Sequence, residues 1–486
     1  MKKAIVIGSG IAGISAAIRL KHKGYQVDVY ESNSYPGGKL SAFQIGKYRF
    51  DAGPSLFTMP HFVDELFQLF GENPRDFFSY KRKEIACEYF WIDGMRITAH
   101  ADKKKFLQEI EKKLNVPAEQ LDNYLNKAKK KYDLTVSLFL EKSLHRVATF
   151  LQKDTLKAIA NLSLFELNKS LDDVNKQQLK NPYLIQLYNR YATYNGSSPF
   201  QTPGIMTLVQ HLESFYGTFV PEGGMEQISQ SLYRLAKRQG VQFYFNTKVD
   251  EILVENKKAT HVRIGKDHLP ADIIVSNMDI FPTYKKLLPK QQFHKKTLHQ
   301  ERSSSAVIFY WGIKKSFPQL NLHNIIFSAD YRKEFEAIFK SRGLYEDPTV
   351  YINITSKDVP GDAPTGCENW FVMINTAADY GQDWDQFVTQ LRKVVIAKIE
   401  NVLSESFEDL IEVEEILTPP LIQAKTESHL GALYGSSSNN RMAAFWRHPN
   451  FSRKIKNLYF CGGSVHPGGG IPLCLLSAKI VSEQVP

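Results

Sequence analysis

An α/β fold with more than one lobe is predicted by three features of this 486-residue sequence. An apolar run near the N-terminus leads through closely spaced glycines into a helical pattern. Apolar strands then alternate with amphipathic helices along the chain, and a second glycine-rich loop near the C-terminus again leads into a helix. The length supports more than one lobe, because single hydrophobic cores stop growing at about 250–300 residues.

The N-terminal segment follows the order strand, glycine turn, helix, strand, acid. Its parts are residues 4–7, Gly8, Gly10, Gly13, a helix from Ile14 to Lys23, a strand through Val27 and Val29, and Glu31. This order is typical of the Rossmann-like dinucleotide-binding unit. We therefore predict that the first residues bind the pyrophosphate and ribose of a dinucleotide.

Each polar or glycine position in this unit has a separate expected role. Gly8 makes the tight turn, Gly10 lets the backbone approach a pyrophosphate, and Gly13 lets the helix pack close to the strand. The N–H groups at the start of the helix face phosphate oxygens. Glu31 accepts hydrogen bonds from ribose hydroxyls.

The same residues have a competing interpretation as a secretory signal. Lys2 and Lys3 precede fifteen uncharged residues, Ala4 to Ile18, as in a basic start and an apolar middle. The glycine spacing and the second strand favour the nucleotide fold, since cleavage would destroy it. We predict a cytoplasmic protein.

Composition excludes several classes of protein. No run of about 18 or more consecutive apolar residues is present, so no spanning helix is predicted. The cysteines are too few and too scattered for a disulfide framework or a zinc site, and we expect reduced thiols at Cys87, Cys367, Cys461 and Cys474. No Ser-His-Asp, metal-ligand or paired-carboxylate pattern indicates a catalytic residue.

Basic charge is concentrated in a predicted helical region, residues 102–217. The net charge of +10 suggests an anionic partner, either membrane lipid or nucleic acid, or else only a basic surface. Asp102 is the expected N-cap of the first helix. Lysine clusters between Lys103 and Lys131 precede an apolar patch at Leu134, Val136, Leu138, Phe139 and Leu140. Binding in the plane of a membrane and a solvated lysine face on a packed helix both fit this pattern.

Further elements are predicted from apolar runs and glycine turns. A hairpin is predicted at residues 89–98, with Asp93-Gly94 as a two-residue turn between two apolar strands. The aromatic residues of its first strand, Tyr89 to Trp91, belong either to the ordinary core or to a pocket wall. The predicted strands are residues 242–245, 271–277, 306–313, 349–354, 370–375 and 457–460. The predicted helices are Pro203–Tyr216, Glu226–Gln239, Trp384–Leu403 and Leu473–Glu483.

Together these motifs resemble the flavin-dependent carotenoid desaturases of the bacterial phytoene-desaturase type, and the match covers nearly the whole chain. The matching residues are Gly8–Gly13, Glu31, Gly37-Gly38-Lys39, Asp51–Pro54, Pro221–Gly224, Ser276-Asn277, Asn457–Tyr459 and His466–Pro472. The first motif occurs in many flavoproteins, whereas the last two are more specific. Within the family, the chain is most similar to the 1'-hydroxycarotenoid 3,4-desaturases.

The resemblance implies FAD and a set of residues that hold it. In the family's pattern, Gly8, Gly10 and Gly13 face the pyrophosphate and Glu31 the ribose, and Ala12 also binds the cofactor. Gly38 gives a second close approach of the backbone, Lys39 lies near the phosphates, and the backbone of Val249 lies near adenine. Gly463, Ile471, Pro472 and His466 lie beside the flavin.

The resemblance also implies a domain plan and a reaction. Residues 1–80, 218–290 and 436–486 form the FAD-binding domain, residues 81–101 and 291–435 a mixed-sheet substrate domain, and residues 102–217 a helical, membrane-facing region. A long apolar carotenoid gives hydride to the flavin, so the protein needs an apolar tunnel more than a strong acid or base. A single dinucleotide motif leaves oxygen or a quinone as electron acceptor, and no nucleic acid is expected.

Four alternatives remain open at this point. Phytoene desaturation and carotene isomerisation belong to the same group of enzymes. A flavin amine oxidase shares the N-terminal unit, and turnover of amines would favour it. A non-enzymatic isoprenoid-binding protein would lack the yellow flavin chromophore.

Overall fold

The structure is a computed structural model, and it describes residues 1–136, 142–146, 149, 157, 161–291, 300–440 and 447–486. The predicted apolar patch falls partly outside this range, since Leu138, Phe139 and Leu140 are not among the described residues. The mixed α/β fold predicted from the sequence is confirmed.

A five-stranded parallel sheet forms the first lobe. Its strands are β1 (Lys3–Ile7), β2 (Gln26–Tyr30), β9 (Gln242–Tyr244), β13 (Ile273–Ser276) and β19 (Leu458–Phe460). They lie in the order β19-β13-β1-β2-β9. All five lie within the segments 1–80, 218–290 and 436–486. Their buried apolar side chains on both faces are typical of a parallel sheet covered by helices.

Four helices cover this sheet. They are α1 (Ile11–His22), α2 (His61–Gln68), α8 (Glu226–Arg238) and α12 (Ile471–Gln484). Helix α1 begins three residues before the predicted Ile14, because Gly10 is extended and acts as the N-cap. Helix α12 also starts earlier than predicted, at the end of the C-terminal glycine-rich loop.

A seven-stranded mixed sheet forms the second lobe. Its strands are β6 (Ile85–Phe90), β7 (Arg96–His100), β14 (Ser305–Ile313), β15 (His323–Ile326), β16 (Val350–Asn353), β17 (Glu368–Thr376) and β18 (Ile411–Leu417), in the order β18-β14-β17-β16-β15-β6-β7. One face packs on α10 (Trp384–Leu403), where Trp311, Trp370 and Leu391 are fully buried. Helix α10 has the predicted bounds and is capped by the Asp383 side chain.

Three smaller sheets accompany the two large ones in the described part of the chain. They contain β3 (Ala42–Ile45) with β4 (Tyr48–Asp51), β5 (Tyr80–Arg82) with β8 (Phe219–Pro221), and β10 (Glu251–Glu255), β11 (Lys258–Ile264) and β12 (Asp267–Pro270). The remaining α-helices among the described residues are α3 (Lys103–Leu114), α4 (Ala118–Thr135), α5 (Leu171–Leu179), α6 (Pro182–Asn189), α7 (Val209–Ser214), α9 (Tyr331–Glu336) and α11 (Pro419–Thr426), with a single turn at Ile280–Pro282.

The helical region between residues 102 and 217 corrects two expectations. Asp102 caps α3 as predicted, and its side chain accepts the Lys105 N–H at 2.8 Å. Lys131, in contrast, belongs to no lysine surface: it is 2% exposed and donates to Glu166 at 2.6 Å. The helix predicted at Pro203–Tyr216 consists of a 3-10 turn, Gly204–Leu208, followed by α7.

The predicted hairpin exists, but its turn is longer than two residues. The Trp91 N–H donates to the Met95 carbonyl at 2.9 Å, which encloses the three residues Ile92, Asp93 and Gly94. Gly94 has φ +88°, as a three-residue loop requires. Tyr89 and Trp91 pack in the core rather than on a pocket wall.

Candidate functional site

One continuous cavity of about 1480 Å³ extends between the two large sheets. Sites for a single small molecule typically measure roughly 300–1,000 Å³. The cavity therefore has room for a dinucleotide and a second ligand. Ten of the eleven residues predicted to bind the cofactor line it, and the exception is Gly13.

The N-terminal glycine turn has the geometry that its spacing predicts. Gly8 has φ +92°, where a side chain would strain the backbone. A Cβ at Gly13 would lie 2.1 Å from the Gly8 carbonyl oxygen, so this glycine permits packing of helix on strand and does not face the cavity. A Cβ at Gly10 would lie 2.6 Å from the Asn277 amide nitrogen. Gly10 and Ala12 both line the cavity, at the N-terminus of α1. The first N–H groups of a helix have no partner within the helix and favour a phosphate there.

Glu31 lies at the carboxyl end of β2 and lines the same cavity. Its carboxylate accepts the backbone N–H groups of Ser9 and Asn33 at 2.7 and 2.9 Å. The Ser9 and Ser32 hydroxyls donate at 2.9 and 3.2 Å. The backbone donors fix the carboxylate, whereas a hydroxyl can rotate and release an acceptor site to a ribose hydroxyl.

Gly38 and Lys39 join the N-terminal and C-terminal glycine loops. A Cβ at Gly38 would lie 3.4 Å from the Gly10 Cα, which places this turn beside the first one. The Lys39 ammonium donates to the Leu433 carbonyl at 3.1 Å, next to the C-terminal loop. Burial lowers the pKa of Lys39, and the Asp279 carboxylate opposes this effect. Contact of Lys39 with phosphate remains a prediction.

The remaining predicted residues line the two ends of the cavity. Val249 follows the segment where the Thr247 N–H bonds the Glu31 carbonyl, so it lies at the ribose end. Gly463, Ile471 and Pro472 line the part of the cavity where α12 begins. This arrangement fits FAD, because one cavity connects an anion-binding helix start, an acid for ribose and a glycine-rich wall.

His466 also lines this part of the cavity and is 2% exposed. Its Nε2–H donates to the Lys142 carbonyl at 2.8 Å. Burial lowers the pKa of His466 to about 4, so the ring is neutral near pH 7. Cys461 does not line the cavity; it is buried in the core beside α12.

One face of the seven-stranded sheet forms the floor of the other half of the cavity. Side chains alternate along a strand, so every second residue of neighbouring strands shares this face. The residues include Cys87 on β6, His323 and Ile325 on β15, Tyr351 on β16, Phe371, Met373 and Asn375 on β17, Ile308 and Tyr310 on β14, and Glu415 and Leu417 on β18. Most of this floor is apolar, which suits a long hydrocarbon ligand.

An ion pair in the opposite wall is the part of the site that sequence reasoning missed. The Arg190 guanidinium donates to both carboxylate oxygens of Glu213 at 2.9 and 3.2 Å, and both side chains are almost fully buried. The hydroxyls of Tyr191 and Tyr194 also donate to Glu213, and the guanidinium donates to the Tyr89 hydroxyl. Burial alone would raise the pKa of Glu213, but Arg190 and the tyrosine hydroxyls hold it below its ordinary value.

One sequence signal could have indicated this pair. Arg190 is the only Lys, Arg, Asp or Glu between Lys180 and Glu213, and tyrosines surround it. An isolated charge in such an apolar stretch is costly to bury unless a partner is near. The sequence alone does not identify which acid that partner is.

Comparison with known proteins identifies relatives along the whole chain. Residues 11–486 match the family described as flavin containing amine oxidoreductase. A 1-hydroxycarotenoid 3,4-desaturase from Flavobacterium sp. (strain P99-3) is 57% identical over 486 residues, covering 100% of this chain and 99% of the relative. A 4,4'-diapolycopene oxygenase from Methylomonas sp. is 32% identical over 496 residues, covering 100% and 98% of the two chains.

Solved structures with low identity share the fold. An oxidoreductase from Methanosarcina mazei has a TM-score of 0.64 at 14% identity, covering 99% of this chain and 100% of its own. A cyclohexylamine oxidase from Brevibacterium oxydans IH-35A has a TM-score of 0.61 at 14% identity, covering 99% and 98%.

Proposed function

This chain belongs to the flavin-containing amine oxidoreductase family, and we propose that it is an FAD-dependent carotenoid 3,4-desaturase. The sequence suggests a 1'-hydroxylated acyclic carotenoid; following the name of the Flavobacterium relative, we propose that the hydroxyl is on C1, at the end that is desaturated. The enzyme introduces the double bond between C3 and C4. The full-length similarity to the desaturase from Flavobacterium carries this proposal.

The shape of the cavity supports the same function. A carotenoid is too long and too apolar for an ordinary polar active site, whereas the floor built from Ile308, Ile325 and Phe371 is apolar. Because this floor is continuous with the glycine loops, a polyene and a flavin ring can lie in one space. Oriented contact is the main requirement, since the conjugated chain itself delocalises developing charge.

FAD, when bound, supplies a two-electron acceptor: one carbon loses a hydride, its neighbour loses a proton, and the electrons of the second C–H bond become the new C=C bond. The chain's own residues bind and orient the two molecules and exclude water. In this proposal Gly8, Gly10, Ala12 and Gly38 approach the pyrophosphate, and Gly463, Ile471 and Pro472 border the flavin.

Replacement of Glu31 by alanine tests the ribose end of this arrangement. Loss of a charge-assisted hydrogen bond is expected to weaken FAD by about 1.5–3 kcal/mol, or roughly 10- to 150-fold in Kd. Flavin fluorescence during titration measures this change. Glu415→Ala is the matched control, because Glu415 lines the cavity, is exposed and carries the same charge. Equal affinities of the two variants would contradict the assigned role of Glu31.

A carotenoid assay tests the reaction. The FAD-loaded protein is incubated with liposomal acyclic carotenoids, and the products are followed by absorbance and mass. Loss of two hydrogens with a red shift is expected from the C1-hydroxylated carotenoid. Activity on colourless phytoene would indicate an earlier desaturation, an unchanged mass an isomerase, and a gain of oxygen an oxygenase. No change with any carotenoid would refute the desaturase function, and turnover of amines would replace it.

Reoxidation of the flavin requires an external acceptor, for which we propose oxygen or a quinone. The sequence contains one dinucleotide fingerprint, at Gly8 to Gly13, and that site is assigned to FAD. The assay can be repeated without oxygen and with added quinone. Continued turnover under those conditions indicates the quinone, and arrest after one turnover indicates oxygen.

Contact with an anionic membrane is a further part of the proposal. Among the helices in the described part of the chain, none combines the length and apolarity needed to cross a bilayer. Lys104, Lys105 and Lys130 are exposed. Phe215 is 55% exposed, and the Lys129 ammonium lies 5.9 Å from its ring centre. A cationic surface with an exposed aromatic ring favours attachment in the plane of a membrane.

Sedimentation with vesicles measures this attachment. We expect the protein to sediment with anionic vesicles at low salt and to be released at high salt, because salt screens exposed charges. Neutral vesicles are the control. Failure to sediment with anionic vesicles at low salt would exclude the electrostatic contact.

A further inference from the structure

Three linked polar groups interrupt the apolar floor of the cavity. The Ser55 and Tyr351 hydroxyl oxygens are 2.8 Å apart, and the Tyr351 hydroxyl lies 2.8 Å from Nδ1 of His323. All three residues line the cavity. We call Ser55, Tyr351 and His323 the polar relay.

Asn353 fixes the direction of the hydrogen bonds in this relay. Its amide nitrogen donates to the Leu322 carbonyl at 3.0 Å, which identifies that atom as nitrogen rather than oxygen. The same nitrogen lies 3.2 Å from Nδ1 of His323. Since an amide nitrogen only donates, Nδ1 is an acceptor. The Tyr351 hydroxyl therefore donates to the same Nδ1 lone pair, through the shorter of the two contacts, and it accepts from Ser55.

The remaining nitrogen of His323 is consequently the one that carries the proton. Burial is the main cause that lowers the pKa of His323 to about 4. The Glu213 carboxylate raises this pKa by a smaller amount, and the Lys83 and Arg190 charges lower it further. A neutral imidazole that accepts at Nδ1 has its hydrogen on Nε2. This Nε2 is buried and has no hydrogen-bond partner among the described residues. His323 is 3% exposed, so protein contacts hold almost the whole side chain in place.

An unsatisfied buried donor is costly unless a ligand uses it. Removal of hydrogens from an apolar polyene has no use for such a donor. A hydroxyl oxygen at the end of the polyene would satisfy it. Arg190, which lines the opposite wall, also has a donor without a partner, its Nε–H group. This part of the cavity therefore contains two buried donors that a polar group of a ligand could satisfy.

The relay also lies near the expected position of the reacting bond. Ser55 belongs to the turn that contains Gly53, where a Cβ would lie 2.3 Å from the Lys39 carbonyl oxygen. The Lys39 ammonium in turn donates to the Leu433 carbonyl at 3.1 Å, and two residues further on a Cβ at Gly435 would lie 2.8 Å from the Ser464 Cα, in the C-terminal loop assigned to the flavin. In a C1-hydroxylated carotenoid only C2 separates the hydroxyl-bearing carbon from C3. The site that binds the hydroxyl must therefore lie close to the flavin. The contacts that link Ser55 through Lys39 to the C-terminal loop agree with this requirement.

We propose that the polar relay is the specificity site of the enzyme: His323 Nε2–H donates to the hydroxyl oxygen of the substrate, and Tyr351 and Ser55 hold the imidazole in that orientation. His323 is the residue that touches the substrate, and Tyr351 is a positioning residue. This inference rests on the proposed function and adds to it the group that distinguishes a hydroxylated carotenoid from the parent hydrocarbon.

The test compares two substrates of equal length, one with and one without the C1 hydroxyl, using the FAD-loaded protein. The measured quantity is the ratio of their kcat/KM values. His323→Phe keeps an aromatic ring but removes the donor, and we expect the ratio to fall about tenfold, as loss of one hydrogen bond implies. His323→Gln retains an amide donor and is expected to keep most of the selectivity. Tyr351→Phe should reduce the ratio less than His323→Phe does.

Tyr310→Phe is the matched control. Tyr310 lines the same floor, and its hydroxyl donates to the Ala52 carbonyl at 2.7 Å, outside the relay. Its loss is expected to affect both substrates equally and leave the ratio unchanged. Binding gives an independent readout, as the amount of each carotenoid that co-elutes with the protein in gel filtration. The hydroxylated compound should lose its advantage in His323→Phe.

The outcomes separate this inference from the proposed function. Wild-type protein that desaturates neither carotenoid refutes the function itself. Wild-type protein that desaturates both equally well retains the desaturase function but overturns the specificity site. A selective wild type whose ratio is unchanged in both His323→Phe and Tyr351→Phe also overturns it, because recognition of the hydroxyl then lies elsewhere.

Discussion

Replacement of Glu213 by leucine is expected to lower the free energy of unfolding by about 3–5 kcal/mol. The substitution removes the counter-charge of the Arg190 guanidinium. Because Arg190 is only 6% exposed, its charge is then buried without a partner of opposite sign. It also removes the acceptor of the Tyr191 and Tyr194 hydroxyls. Equilibrium denaturation of the FAD-loaded variant measures the change.

The double variant Arg190→Met with Glu213→Leu is the control for this effect. Replacement of a whole buried ion pair by apolar side chains is often neutral, so the double variant is expected to recover more than half of the lost stability. A single Glu213→Leu variant that loses less than about 1 kcal/mol would mean that water solvates Arg190 in the cavity. That result would contradict the buried character of this wall.

Substitution of Gly13 by alanine is expected to remove FAD binding and to destabilise the protein. The new Cβ would lie 2.1 Å from the Gly8 carbonyl oxygen, so α1 must move away from the glycine turn. Forced overpacking of this kind costs about 1–3 kcal/mol, and the movement also displaces Gly10 and Ala12 from the cavity wall. The flavin absorbance that the purified variant retains, together with its melting temperature, measures both effects.

Gly361→Ala is the matched control, because a Cβ at Gly361 would have no heavy atom within 4 Å and the residue has no left-handed φ. It should retain wild-type flavin content and stability. Normal flavin content in Gly13→Ala would show that the helix start tolerates displacement. The assignment of the pyrophosphate to this turn would then be wrong.

Local patterns predicted a large part of the fold. The strand, glycine turn and helix of residues 3–22 depend on neighbours in sequence, and the structure has them within three residues of their predicted bounds. Helix Trp384–Leu403 was predictable for the same reason, since Asp383 caps it and its apolar face repeats with the helical period. The hairpin turn at Asp93-Gly94 was misread, because the dipeptide fits two- and three-residue loops alike.

Long-range partners account for what the sequence could not predict. Lys131 stands in a lysine-rich stretch that indicates a surface, yet it is buried against Glu166 and Thr207 on other elements. Strand β15 was not predicted, because its four residues include the polar His323 and Asn324. The polar relay and the Arg190–Glu213 pair join segments that are far apart along the chain, and only the tertiary fold brings them to one cavity.

Anaerobic mixing of the FAD-loaded protein with a C1-hydroxylated acyclic carotenoid tests the central claim most directly. If the polyene and the flavin share the cavity and exchange a hydride, one equivalent of flavin is reduced for each double bond formed. The flavin absorbance should bleach as the carotenoid band shifts to the red, in equal molar amounts. Product formed without bleaching, or an oxidised flavin that stays unchanged beside bound carotenoid, would contradict this account.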